Sequence, residues 1–549
     1  MTPSRPAGVP DREATNPVHP TSPPRSSRTR RACRALVVGA LLLAGVGVLT
    51  PPAEAQTSHT GPSINATAPT GEQLTAQVYD HPRYYTAEQL DALNEELFDD
   101  EDVNLGHPGK PPRHGALGPS VSAPDSVGTL ATTVLRDSTI PASGISGGST
   151  YASYTQEPST DANGANIFQT GNWYATRSTD GGATWSYLDP FTMFGSGFCC
   201  DQVTQYDPDT GRQFWLLQFS DHLVLANASA SGTGAFTNWC YWNITPGWFG
   251  LASGTGLDYN DMTIGNSYVY VSTNFFPSGG GSGSALARLP KKEMAACAGF
   301  NYGYLTRTDS FTFKLVPGST DTLYWGSNWG QTNGSSFRVY AWPESSGSYS
   351  YWDRTVASYT FFTRNSGQNC ASTDGVVTNW CQYADSRVLG AYRAAGVLGF
   401  SFNAKQDGSH PFPYSRIVWF NESDKSYIGA GDVWATWGAI QFLSLAPNSS
   451  GRVGGAYAWG GGTGGTHYYP GSAVYSTGAG TIENNSNFYL WGDGNTCTYN
   501  GLYRWGDYLT TRTYKANPST WLATGWAIKG GNCGSSGAYA QPHNVQFSG

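Results

Sequence analysis

The chain has 549 residues, of which only 13% are charged, with 69 glycines, 33 tyrosines and 19 tryptophans. So few charges beside so many aromatics exclude a mainly disordered chain, and abundant Gly, Ser and Thr describe short strands and tight turns rather than helices. A formal net charge of −8 argues against nucleic acid or an anionic membrane as partner, because both are held through positive charge.

The first 55 residues read as a secretory leader. A basic stretch from Arg25 to Arg34 runs into an apolar run from Ala35 to Leu49, and the small-x-small triplet Ala53-Glu54-Ala55 follows. The apolar run is too short for a span of ~20 residues, so no membrane anchor is expected. Without the leader the chain carries 24 basic and 36 acidic groups. Residues 56–127 read as an acidic pro-region or linker. Within it Thr86 and Gln89 form a capping box, and Leu90, Leu93, Leu97 and Phe98 follow helical spacing, which predicts one short helix over 86–98.

From residue 128 onward a hairpin pattern recurs. A polar start leads into an apolar strand, a Gly or Asn turn and a returning apolar strand. The units start at Glu157, Asp201, Asn260, Phe311, Cys381, Ile440 and Arg504. Between them lie further aromatic strands, such as Phe337–Trp342 and Ser415–Phe420, so each period holds about four strands, the content of one propeller blade. The expected fold is all-β, a β-propeller over 128–549. Seven starts favour seven blades; six remain open if the Glu157 unit completes the last one. Ring closure would pair Ala538–Phe547 with an N-terminal strand near Thr129–Leu135, since an unclosed blade leaves a bare edge.

One octapeptide sharpens this reading. Ser178, Asp180, Gly182, Thr184 and Trp185 match S-x-D-x-G-x-T-W at every fixed position. In it Asp180 can bond the amides of its own turn, while Trp185 packs beneath. The chain thereby resembles the sialidase-like propellers that carry BNR/Asp-box repeats. The resemblance implies that this turn is structural and that a site lies at one end of the central channel, near the starts of the inner strands. Ser231–Trp239 and Ser345–Trp352 read as decayed copies. The Arg-Ile-Pro motif of sialidases is absent, Ser415-Arg416-Ile417-Val418 being the nearest string, and no set of three channel arginines emerges. True sialidase activity is therefore not expected.

Resemblance and hairpin register together nominate Glu157, Asp201, Asp261, Arg504, Asp507 and Tyr508 as catalytic, with Asp385 and Arg387 as substrate-binding. One carboxylic acid could protonate a glycosidic oxygen while a second carboxylate, or a Tyr, attacks or activates water. Alternatively Tyr508 or a His could abstract a proton beside a uronate neutralised by Arg, which is lyase chemistry. The expected function is that of a secreted carbohydrate-active propeller, a glycoside hydrolase or polysaccharide lyase acting as a monomer on an extracellular polysaccharide or glycoconjugate. The alternative is a non-catalytic propeller that binds extracellular glycan or protein. His410, His467 and His543 read as loop or surface residues. Each could alternatively serve as a base or metal ligand; no cofactor is expected, a structural calcium ion is left open, and any metal at the site stays unknown.

Eight cysteines follow the leader, an even number that in an exported chain reads as disulfides. Cys370–Cys381 and Cys497–Cys533 are the expected pairs. The adjacent Cys199 and Cys200 are expected to reach Cys240 and Cys297 rather than each other.

Overall fold

The computed structural model describes residues 58–80, 131–141, 152–328, 334–535 and 537–549. The expected leader and the expected helix over 86–98 lie outside the described residues. What is described is a seven-bladed β-propeller. The blades begin with inner strands Ser159–Asn163, Phe198–Asp207, Gly256–Ile264, Lys314–Leu315, Val388–Ala394, Ala439–Pro447 and Thr511–Thr513, in chain order. The Glu157 unit thus builds a blade of its own.

Strands in the middle of each blade are buried on both faces, because each blade packs between two others. Tyr268–Phe276, for example, is buried at every position but its ends. The core is accordingly divided into layers between blades. Phe168 of the first blade meets Trp215 and Trp239 of the second, and Phe337 of the fourth meets Phe400 and Phe420 of the fifth. Ile167 of the first meets Leu522 of the seventh, so the layers run all the way round. Polar side chains reinforce the stacking at the inner strands. Asp161 accepts from Tyr206 N at 2.9 Å, Asp261 from Leu315 N at 3.0 Å, and Asn403 from Phe442 N at 2.8 Å. The first two bonds tie one inner strand to the next, and the third ties the second strand of the fifth blade to the inner strand of the sixth.

The seventh blade is completed from the other end of the chain. Thr133–Thr139 pairs antiparallel with Tyr539–Ser548, slightly downstream of the expected closing strand. Residues 58–80, read from sequence within a pro-region or linker, form three further strands. His59–Pro62, Ile64–Ala68 and Glu72–Thr75 add a fifth strand to the fourth, third and second blades in turn, and Tyr79 bridges to Tyr187 in the first. This strap covers open edges through backbone hydrogen bonds, which need no apolar pattern. Among the described residues no helix is long and apolar enough to cross a membrane.

Four disulfides are present, and two correct the expectation. Cys370–Cys381 and Cys497–Cys533 form as expected, but Cys240 pairs with Cys297, and Cys199 with Cys200. Cys240 lies on the fourth strand of the second blade, and Cys297 follows the short helix Lys291–Ala295 of the third. Their Cα atoms come within 5.8 Å. Cys199 and Cys200 sit on the inner strand, at the far side of the sheet from Cys240, and so have only each other.

The turn Ser178–Trp185 links the third and fourth strands of the first blade. Asp180 accepts from Thr184 N at 2.9 Å and from Ser178 Oγ at 2.7 Å. These bonds, led by those from Thr184, hold its carboxyl down at about 2.

Candidate active site

Antiparallel strands alternate direction, so the starts of the inner strands, the connections between blades and the second-to-third-strand loops share one end of the channel. The long connections 356–387 and 491–510 lie there, with loops 462–467 and 530–538. They are bonded to one another: Thr373 N to Gly462 O at 2.9 Å, Thr378 N to Asn495 Oδ1 at 2.8 Å, and Asp493 N to Ile528 O at 2.8 Å. Cys370–Cys381 and Cys497–Cys533 brace the same end.

The segment Arg504–Tyr508 descends from this end into the channel. Trp505 stacks on Phe442 at 5.4 Å and on Trp526 at 4.7 Å. A Cβ at Gly506 would stand 2.2 Å from Gln156 O, so only glycine lets the segment lie against residues 156–157. Arg504 Nη2 then reaches Glu157 Oε1 at 3.2 Å and Asp507 Oδ2 at 3.1 Å. The other oxygen of Glu157 accepts from Asn172 Nδ2 at 2.8 Å, and Asn172 Oδ1 accepts from Glu157 N at 2.7 Å.

Asp201 meets the same group and hydrogen-bonds to Glu157. Its pKa is pushed well above the ordinary carboxyl value, first by burial and then by the charge and hydrogen bond of Glu157, with Asp258 and Asp507 adding to it. Asp201 therefore favours its protonated form. Tyr508 is close enough to feel the charges of both; among the described residues its buried hydroxyl has no hydrogen-bond partner. Burial, followed by the charges of Asp201 and Glu157, raises its pKa well above 10.

On the other side of Tyr508, Asp385 and Arg387 form a closed ion pair, with Arg387 Nη2 at 2.7 Å and Nε at 3.0 Å from Asp385 Oδ2. The guanidinium lies over the Tyr259 ring at 4.5 Å, and Tyr259 meets Tyr508 edge-on at 6.1 Å. Of the nominated residues, the structure thus gathers Glu157, Asp201, Arg504, Asp507 and Tyr508, with Asp385 and Arg387 adjoining. It does not bring Asp261 to the acid pair. Asp261 ties Leu315 N and ion-pairs with Lys314 at 3.1 Å, lining a cavity together with Tyr259, Tyr508 and Arg512. That cavity holds about 30 Å³, and the one beside Asp385, Arg387 and Asp507 about 10 Å³, room for one or two waters and not for a sugar ring.

Three residues of the site had no sequence signal. Asp258 and Tyr259 enter through a register shift between Asp258 and Asp261, with Tyr259 at a φ of 56°. A bulge of this kind re-aims side chains and is invisible to a period-two pattern. Asn172 lies in a turn of the first blade. The histidines stand apart from the site: His410 is buried between Asp407 and Asp432, His467 faces Asp374, and His543 bonds Asp137 at 2.6 Å. Among the described residues no group of His, Cys, Asp and Glu is arranged to hold a metal ion.

No family model matches the chain, and no curated protein does. Among solved structures it is similar to a subtype N10 neuraminidase-like protein of A/little yellow-shouldered bat/Guatemala, with 9% identity over 55% of this chain and 91% of that one, at a TM-score of 0.31. It is also similar to the α-L-arabinofuranosidase Arb93A from Fusarium graminearum, with 9% identity over 76% and 97%, TM-score 0.33. The N-terminal domain of Nup159 matches with 7% identity over 78% and 100%, TM-score 0.36. These likenesses concern the fold alone, and the seven-blade count rests on the strand pairing.

Proposed function

We propose that this chain is an extracellular carbohydrate-active propeller that hydrolyses glycosidic bonds. The observation that carries the reading is the buried Glu157–Asp201 pair, with Asp507 beside it on Arg504. The pair is the general acid that protonates the leaving oxygen, and Asp507 is the second carboxylate. Glu157 and Asp507 both touch Arg504 Nη2 within 3.2 Å, so those oxygens lie within about 6 Å.

The arginines narrow the substrate. Arg387 is bound in bidentate fashion to Asp385, and Arg504 is shared by two carboxylates. Three carboxylates, Glu157, Asp507 and Asp385, face these two guanidiniums. A uronate or sialic acid would meet net negative charge, so the charge of the site favours a neutral glycan over an acidic one. Incubating the secreted chain with neutral and acidic polysaccharides and assaying new reducing ends tests this. Cleavage of a neutral glycan that Asp201→Asn abolishes supports the reading; unsaturated products from an acidic one overturn it.

One observation favours a second reading. Glu157 is 1% and Arg504 5% exposed, which leaves the channel nearly filled. A propeller that binds glycan without cleaving it would retain a neutral glycan on an affinity matrix while releasing no reducing ends.

A further inference from the structure

The Cys199–Cys200 bridge differs in kind from the other three. Cys370–Cys381, Cys497–Cys533 and Cys240–Cys297 join residues 11, 36 and 57 positions apart, whereas Cys199 and Cys200 are neighbours. A disulfide stabilises chiefly by closing a loop in the unfolded chain. A bond between neighbours closes none, so its effect is confined to the backbone that carries it.

That backbone leads directly into Asp201, where the sheet has let go of it. The inner strand of the second blade pairs regularly with Arg212–Phe219 from Asp207 back to Gln202, which faces Leu217. Pairing resumes with Phe198 opposite Phe219. Between these two pairs Cys199, Cys200 and Asp201 face a single residue, Gln218, whose amide is engaged by Asp258 and Asn260. Two residues too many on one strand make the chain buckle, and a buckled stretch has conformational freedom that the ladder does not remove. The covalent ring across Cys199 and Cys200 removes it.

We propose that the Cys199–Cys200 disulfide is a backbone lock that positions the Asp201 carboxyl against Glu157, and is not a staple of the fold. The proposal rests on the reading of Asp201 as an acid of the site. With the lock in place, the bulge presents Asp201 in one orientation, at hydrogen-bonding distance from its partner. Without it, residues 199–201 sample several backbone states, and the carboxyl pair is made only part of the time.

The test compares the full chain with C199S/C200S and with C370S/C381S. Thermal midpoints are read first, and then the infrared carbonyl band of the protonated carboxyl, identified as the band that Asp201→Asn removes. C199S/C200S is expected to melt within ~1 °C of the parent while its band shifts or fades; C370S/C381S is expected to melt ~3 °C lower with the band intact. An unchanged band in C199S/C200S overturns the proposal. So does a fall in midpoint as large as that of C370S/C381S, or a failure to fold, since either makes the bond a staple. Reducing the folded parent with a water-soluble phosphine, and counting two new thiols by mass, gives the same band comparison without substitution. If the parent cleaves no glycan, the catalytic reading fails, yet the band still decides the lock, because it reports the carboxyl and not turnover.

Discussion

Glu157 and Arg504 stand 347 residues apart in the chain and meet at 3.2 Å. Glu157 leads into the first blade and Arg504 into the seventh, so the contact spans the seam of the ring as well as the site. Removing the guanidinium leaves Glu157 buried with an uncompensated charge. Arg504→Met is therefore expected to cost ~3–5 kcal/mol, measured by chemical denaturation. Asp507→Asn keeps an oxygen for Arg504 and is expected to stay within ~1 kcal/mol of the parent while abolishing glycan cleavage. If Asp507→Asn unfolds, the residue is structural; if it remains fully active, it has no part in the chemistry.

Asp201 gives a pH dependence of defined sign. Burial first, and then Glu157, raises its pKa in the fold. A group raised in this way stabilises the fold fully below its unfolded value of ~3.9. That contribution is lost as pH rises through the raised folded value, because the unfolded chain gives up its proton first. Asp201→Asn cannot ionise and should lose less stability than the parent between about pH 4 and pH 8. Denaturant midpoints at the two pH values decide it, and equal losses would exclude a buried acid at this position.

The loop-closing disulfides should rank by loop length. Chain-entropy arguments give ~4 kcal/mol for the Cys240–Cys297 loop and ~3 kcal/mol for Cys370–Cys381. C240S/C297S is thus expected to melt below C370S/C381S. Thiol titration of the denatured, unreduced secreted chain should find none of the eight cysteines free, and two or more reactive thiols would contradict the pairing.

The strap 58–80 can be removed without touching the ring. A chain beginning at residue 131 exposes the outer strands of the second, third and fourth blades, which present unpaired N–H and C=O groups. It is expected to keep its far-ultraviolet strand signature but to associate with rising concentration, as read by light scattering. A monodisperse truncated chain would show that those edges need no cover.

Much of the blade architecture could be read from the residues, because strands buried between blades are mostly apolar and end at Gly or Asn turns. The strap could not, since Ile64–Ala68 is mostly exposed and held by backbone pairing that leaves no pattern. Arg504, Asp507 and Glu157 were legible as polar residues ahead of apolar strands. Asp261 shares that signature but serves the neighbouring blade, and nothing in the sequence separates the two uses. Asp258 and Tyr259 depend on a bulge, and the pairing of Cys199 with Cys200 on which surfaces the other cysteines reach. Both are properties of the folded sheet and not of the local sequence.

The closure of the seventh blade has a kinetic consequence. Arg136 and Asn544, bonded at 2.8 Å, are separated by 408 residues, so the last blade cannot be finished until nearly the whole chain has been synthesised. Contacts of such long range are slow to form. Until they do, strand Tyr539–Ser548 and its partner Thr133–Thr139 each offer an unpaired edge to other chains. The dangerous interval for this protein then lasts until Tyr539–Ser548 has been made and has found Thr133–Thr139, while six blades stand assembled and the join is still open.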